Sequence, residues 1–294
     1  MSVISGFYYL NMSFAGVVIL YHPDKDIFER ILTYMDILDH LYIFDNSESF
    51  NHVLNSKITA HRKIQYLHDK ENKGIAVRLN QAATLALKDG YSFLLTMDQD
   101  SHFRANEAER YQNCILNIKG IEKVGITGLE FIQSTSDTNC SCERVNELIT
   151  SGSVVNLHLF EEIGGFDENL FIDYVDHEYC YRAKVKGFEV LKFSHIFLHH
   201  SVGEASNKRS FITLKNSQRS FHSPIRIYYM VRNYLYVNQK YKTTFAPELQ
   251  QQRNSILTRI KNKLLYNKDR IKLIRLIFRA FKDYKRSNMG KINI

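Results

Sequence analysis

Residues 91–101 read YSFLLTMDQDS: a mainly apolar run over 91–97 that stops at Asp98, with a second carboxylate, Asp100, two residues on. A near-continuous apolar run of this length suits a strand covered on both faces, not one with a face in water. Immediately upstream, Ile75–Lys88 has the spacing of an amphipathic helix closed by Gly90, and 64–67 repeats the strand pattern. Further out, 41–44 reads as a strand, 27–38 as a helix and Phe14–Leu20 as the first strand. Strands alternating with helices predict a mostly parallel sheet flanked by helices, an open α/β nucleotide-binding architecture. Ligands of such sheets sit at the carboxyl ends of the strands, where Asp98 and Asp100 fall.

Downstream, a strand is predicted over 124–131, and the polar stretch QSTSDTNCSCERVNE at 133–147 reads as a loop or short hairpin over the site. A helix is expected over 175–186, ended by Gly187, then a strand at 189–193 and helices beyond 225. No internal repeat or low-complexity linker interrupts the chain, so two tightly joined subregions are expected. A chain of 294 residues with 44% hydrophobic residues buries about three quarters of its surface on folding, enough for a large core. The four cysteines (Cys114, Cys140, Cys142, Cys180) are too few and too irregular for a disulfide framework and read as thiols of a reduced, cytosolic protein. Metal ligation by Cys140 and Cys142 is the alternative. No apolar run approaches the roughly 18 residues of a membrane span, and the N-terminus lacks the features of a secretory signal, so a cytoplasmic location is expected.

The net charge of +8 is unevenly placed. Residues 251–294 hold 13 Lys or Arg against two acidic residues, which leaves the rest of the chain mildly acidic. A basic excess confined to a tail disfavours nucleic acid as a partner. Within the tail, apolar and basic residues interleave as in an amphipathic helix at an anionic membrane surface, or as in a helix that buries its apolar stripe on its own domain.

Three acidic positions end or follow apolar runs: Asp45 in YIFDNS, Asp98 and Asp100, and Asp176 with Glu178 in FIDYVDHEYCYR. Carboxylates at i and i+2 after a strand suit Mg²⁺ or Mn²⁺, hard cations that keep substrate phosphates in their shell. The segments VVILYHPD (17–24), YIFDNS (42–47), ENKGIAVRLNQA (71–82), LLTMDQDS (94–101), 150–187, HHSVGE (199–204) and YYMVRN (228–233) occur in a set order. In them the chain resembles the family 2 glycosyltransferases of GT-A fold, most of all their bacterial rhamnosyltransferase branch. The likeness spans about residues 14–235.

That resemblance implies a GT-A domain over 1–235, with a donor half at about 14–131 and an acceptor half at about 148–235, followed by a basic amphipathic helical region over 236–294. It places Tyr21 and Pro23 at the nucleotide pocket and Asp45 on the base or ribose, although Asp-Asn-Ser is also an ordinary strand-to-turn sequence. It sets Asn72, Gly74, Arg78 and Asn80 beside the nucleotide sugar, with Arg78 open to a second reading as a solvated helix residue. Asp100 becomes a metal ligand and Asp98 a ribose or metal contact. His200 of the HSVG segment is the third ligand, with His199 as its alternative. Asp176 becomes the catalytic base and also an N-terminal cap, while Val175 stands where many members have Glu. Gly152, Asp173, His177, Glu178 and Arg232 fall on the acceptor or supporting side, and Glu178 and Arg182 have the i,i+4 spacing of a helix pair.

The activity so implied is metal-dependent, inverting transfer of L-rhamnose from dTDP-β-L-rhamnose to a hydroxyl of a lipid-linked O-antigen or capsule precursor, with Mn²⁺ or Mg²⁺ as cofactor. Implied partners are a polyprenyl-diphosphate-linked acceptor, an anionic membrane surface at the inner face of the cytoplasmic membrane, and a second copy of the chain. Transfer of another sugar such as galactofuranose, or non-catalytic binding of sugar nucleotide or glycan, are the alternatives.

Overall fold

The computed structural model describes residues 12–130, 140–196, 198–200, 205–209, 216–220, 223–266 and 269–293. The chain begins with β1 (Phe14–Leu20), α1 (Ile27–Leu32), β2 (His40–Asp45), α2 (His52–Thr59), β3 (Ile64–His68), α3 (Ile75–Lys88), β4 (Phe93–Asp98), β5 (Ser101–Phe103) and α4 (Glu107–Leu116). It continues through β6 (Val124–Leu129), β7 (Cys142–Arg144), β8 (Ser153–Asn156), α5 (Leu157–Ile163), α6 (Val175–Val185), β9 (Glu189–Phe193) and β10 (Leu198–His200). Eight of these strands form one sheet in the order β3-β2-β1-β4-β8-β6-β9-β7. Strands β3, β2, β1 and β4 are mutually parallel, as are β6 and β9, whereas β8 runs antiparallel between β4 and β6 and β7 antiparallel on β9.

The strand order reverses between β1 and β4. Loops leaving these two neighbours head to opposite sides, and the crevice they leave lies at their carboxyl ends. The register pairs Ile19 with Asp98, which puts the first carboxylate of the Asp-Gln-Asp segment beside the end of β1. Both strands are buried at every position but one, as their apolar runs require. The helix predicted over 27–38 stops at Leu32. Beyond it the amides of Tyr34, Met35 and Leu38 bond three residues back, so tight turns rather than a helix bury these apolar residues. Within the polar stretch at 133–147, residues 133–139 lie outside the described residues, and 142–144 pair with β9 as an edge strand instead of forming a local hairpin.

The expectation of four thiols is corrected. Cys114 on α4 is disulfide-bonded to Cys140, with Cα atoms 5.3 Å apart across 26 residues of chain, while Cys142 is free and exposed and Cys180 free and buried. That Cα separation is ordinary for a disulfide. It arises because the chain returns past the end of α4, a proximity that cysteine spacing does not encode.

Arg78, buried on α3, ties the ends of β2 and β3 to the helix. Its Nε donates to Asn46 Oδ1 at 2.7 Å, Nη2 to Asp69 Oδ1 at 2.5 Å and to Glu71 O at 2.9 Å, and Nη1 to Asp69 Oδ2 and Gln81 Oε1, each at 3.0 Å. These hydrogen bonds, with Lys73 next, hold the Asp69 carboxyl well below the usual carboxylate range. Arg78 is therefore not the solvated helix residue of the second reading.

A second compact unit contains residues 169–174 and 201–294. It comprises the paired strands β11 (Ala205–Arg209) and β12 (Asn216–Ser220) and helices α7 (Pro224–Tyr241), α8 (Ala246–Tyr266) and α9 (Arg270–Lys285). Within this unit Arg232, buried on α7, donates to Asn288 O at 3.2 Å and Gly290 O at 2.7 Å and lies over the rings of Tyr228 and Tyr229. Tyr228 in turn donates to Asp283 of α9 at 2.8 Å. The C-terminal region is thus part of the unit that starts at 201.

Arg232→Met should lower stability by about 2 kcal/mol or more in urea unfolding, because it strands carbonyls that accept from a charged donor. Arg78→Met should cost a similar amount at neutral pH. Because a depressed carboxyl stabilises the fold above its unfolded pKa near 4, the Arg78→Met deficit should shrink as pH falls below about 4.

Candidate functional site

Four strand ends converge at the crevice. Tyr21, just past β1, is half exposed; its amide donates to Gln99 Oε1 at 2.8 Å, and Gln99 Nε2 donates back to Tyr21 O at 3.1 Å. The Tyr21 hydroxyl meets Glu48 Oε1 at 3.3 Å and the Asn72 side chain, and burial, then Glu48, pushes its pKa up. His22 N donates to Ser47 Oγ at 2.8 Å, and Pro23 is partly buried beside them. Tyr21, Pro23, Asn72 and Asp98 are therefore brought to one end of the sheet. Gln99, the central residue of Asp-Gln-Asp, carries no sign of this role in the sequence, yet its paired bonds to the backbone N–H and C=O of Tyr21 tie the β1 and β4 loops together.

Asp45, expected on the base or ribose, has both carboxylate oxygens engaged within the protein. It is fully buried, its Oδ1 accepts from Ser47 N at 2.8 Å and its Oδ2 from the Tyr66 hydroxyl at 2.6 Å, the strand-to-turn role that Asp-Asn-Ser also suits. Gly74 has φ 82° and ψ −174°, a conformation open to glycine, and starts α3 with its carbonyl accepting from Asn46 Nδ2 at 3.3 Å. Asn80 grips Phe166 in both directions, accepting from its amide at 2.7 Å and donating to its carbonyl at 2.9 Å, which docks the Gly-Gly-Phe-Asp-Glu loop on α3.

Asp98 and Asp100 follow one another out of β4, both partly open to solvent. Strand β5, which starts at Ser101, pairs with β10, so His200 lies opposite Ser101 and His199 opposite His102. The His199 ring stacks on His102 with centroids 4.8 Å apart, and burial, then His199 and Arg30, pushes the His102 pKa down. The side chain of His200 and residues 201–204 lie outside the described residues. Among the described residues no cluster of three or more potential ligands is preassembled. Two carboxylates at a strand end, with a histidine-bearing strand paired beside them, are donor types whose chemistry suits Mg²⁺ or Mn²⁺.

Asp176 sits in the first turn of α6 with 18% of its side chain exposed. Its Oδ2 accepts from Thr150 N at 3.0 Å and Thr150 Oγ1 at 3.3 Å, and its Oδ1 from His177 N at 2.9 Å. Thr150 is held in turn by β4: Thr96 Oγ1 donates to Thr150 O at 2.5 Å. The strand that delivers Asp98 and Asp100 thus also positions the residue that orients Asp176. Sequence reasoning named neither threonine; their one signal is that Thr150 opens the TSGS segment. Gly152 turns this loop at φ 74°, where a Cβ would lie 2.8 Å from Leu198 Cδ2, so it supports the loop from within. Val175 is buried, and Glu178 is fully buried with its Oε2 2.7 Å from Arg182 Nη2, the helix pair its spacing predicted. Asp173 and Arg232 lie in the second unit. Asp173, at φ 63°, accepts from Arg226 Nη2 at 3.2 Å, and its carbonyl accepts from Asn233 Nδ2 at 3.1 Å. Arg232 holds residues 288–290, which makes it structural support.

No family model matches the chain. It is 28% identical over 242 residues to the dTDP-rhamnosyl transferase RfbF of Shigella flexneri, an alignment covering 76% of this chain and 79% of that protein. Its fold is similar to that of S. aureus TarS 1–349, solved in complex with UDP-GlcNAc, with a TM-score of 0.57, 14% identity and coverage of 94% of this chain and 81% of that one. A second structural relative, GalNAc-T7 solved with UDP, GalNAc and Mn²⁺, also has a TM-score of 0.57, at 12% identity over 95% of this chain and 55% of the other. The strand-order reversal, the carboxylates at its crevice and the structural likeness agree on a GT-A fold, and in sequence the chain is similar to a glycosyltransferase.

Proposed function

We propose that the chain transfers L-rhamnose from dTDP-β-L-rhamnose, with inversion, to a hydroxyl of a polyprenyl-diphosphate-linked surface-glycan precursor. The observation that carries this reading is the hydrogen-bonded path from β4 through Thr96 and Thr150 to Asp176. It ties the Asp176 carboxylate to the strand that ends in Asp98, which supports a base and a carboxylate pair acting on one substrate. The donor-sugar assignment is supported by the likeness to a protein named as a dTDP-rhamnosyl transferase. Tyr21, Pro23, Asn72, Gly74 and Asp98 line the nucleotide side, while buried Asp45 and Arg78 shape its wall from behind.

In the transfer step the acceptor hydroxyl attacks the anomeric carbon from the face opposite the nucleotide, the bond to the diphosphate oxygen breaks, and Asp176 takes the hydroxyl proton. Thr150 aims Oδ2 by two donated hydrogen bonds and His177 N holds Oδ1, so the base stays oriented without being closed from solvent. Asp100 and Asp98, with a histidine of β10, would hold a divalent cation, which neutralises diphosphate charge when bound. Because the acceptor is lipid-linked, the enzyme works at the inner face of the cytoplasmic membrane, where its basic C-terminal region meets anionic lipid.

Thermal stabilisation by sugar nucleotides tests the donor. At about 100 times its Kd, dTDP-rhamnose with Mn²⁺ or Mg²⁺ should add roughly 2.7 kcal/mol, and chelator should remove much of it. A larger response to another sugar nucleotide would replace the rhamnosyl assignment, and no response to any would favour a chain without transferase activity. Asp176→Asn should keep donor-induced stabilisation while turnover falls about 100-fold or more. Asp100→Ala should abolish the cation-dependent part of the shift; full cation dependence in this variant would overturn its assignment.

A further inference from the structure

Within the second unit, α9 is apolar on two faces. One carries Leu273 and Ala280, both fully buried, with Ile277 and Tyr284 partly buried between and beyond them, and packs along α7. The other carries Ile271, Ile274, Phe278 and Phe281, all exposed, with Phe278 at 72% and Ile271 at 68%. At about 100° per residue these four side chains fall within an arc of about 80°, away from the buried arc. Self-packing therefore explains only half of the helix's hydrophobicity. Leu257 and Leu265 of α8 are exposed as well, so α8 and α9 hold six of the eleven exposed large apolar side chains among the described residues.

The charges on the same face identify the partner. Arg275, Lys282 and Lys285 project on or next to the exposed apolar arc, flanked by Lys272 and Arg286, and all five are exposed. The one acid within α9, Asp283, is withdrawn from this face: it accepts from Tyr228 at 2.8 Å and pairs with Arg279 at 3.3 Å. The other acid of the tail, Asp269, precedes the helix. A surface that is apolar and cationic at once matches an interface that is apolar and anionic at once, namely acyl chains beneath acidic headgroups. Long Lys and Arg stems allow their charges to stay at headgroup level while the aromatic rings go deeper.

We propose that α9 is an interfacial anchor that lies in the plane of an anionic bilayer, inserting Ile271, Ile274, Phe278 and Phe281 while Arg275, Lys282 and Lys285 engage acidic headgroups. The inference deepens the reading of a lipid-linked acceptor and rests on it for its biological setting.

Flotation of the full chain with vesicles tests the anchor. The chain should float with phosphatidylcholine vesicles containing about 30% phosphatidylglycerol, much less with phosphatidylcholine alone, and less as salt rises from about 0.1 to 0.5 M. Phe278→Ser/Phe281→Ser should weaken partitioning about tenfold or more, and Arg275→Glu/Lys282→Glu should remove the preference for acidic lipid. Unchanged donor-induced thermal stabilisation in both variants would show that the fold persists. Wild-type chain that stays unbound to acidic vesicles at low salt, or a Phe variant that floats as well as wild type, overturns the anchor. The same holds if the Phe variant turns a wild-type dimer into a monomer at unchanged vesicle binding, since the face would then belong to a second copy. Vesicle binding without any donor response would keep the anchor and sink the rhamnosyl reading; donor response without vesicle binding would do the reverse.

Discussion

The buried guanidinium of Arg78 is the constraint on which the donor side of this protein depends. A charge removed from water is tolerated only when its donors are all used, and Arg78 uses them on Asn46 after β2, Asp69 and Glu71 after β3, and Gln81 on its own helix. Two loops that would otherwise be independent are thereby tied to one planar group on α3. Asn46, held on one side by Arg78, reaches Gly74 on the other, so the turn into α3 inherits the same geometry. The loops around Tyr21 can then be short and polar without being loose.

The other side of the crevice is organised from β4. Its Thr96 hydroxyl fixes the 150–153 loop, that loop fixes the Asp176 carboxylate, and the strand ends in Asp98. In the proposed mechanism a general base and a carboxylate pair must keep a fixed separation, and both positions are tied to one buried strand. Gly152 and buried Glu178 serve the same end, the first by fitting a crowded left-handed turn and the second by anchoring α6 through Arg182.

Much of this was legible in the chain. Phe14–Leu20, Ile75–Lys88 and Glu189–Phe193 have the bounds that periodicity predicts, because strands buried on both faces and helices with one apolar face write their periods directly into the sequence. Asp45 shows the limit of motif reading: a carboxylate at a strand end looks the same whether it faces a ligand or, as here, closes on Ser47 and Tyr66. Arg232 shows another, since a basic residue in a helix gives no sign that carbonyls 56 and 58 residues later will surround it.

By itself the sequence determined the α/β alternation, the placement of carboxylates at strand ends and the confinement of basic charge to the tail, all properties of residues near one another in the chain. Only the tertiary structure decided which arginines are buried, that Cys114 meets Cys140, that Thr96 and Thr150 stand behind Asp176, and that α9 keeps a second apolar face in solvent. Each of these depends on contacts between distant segments. Such contacts are selected by packing and by the need to satisfy every buried polar group, and neither requirement leaves a local pattern.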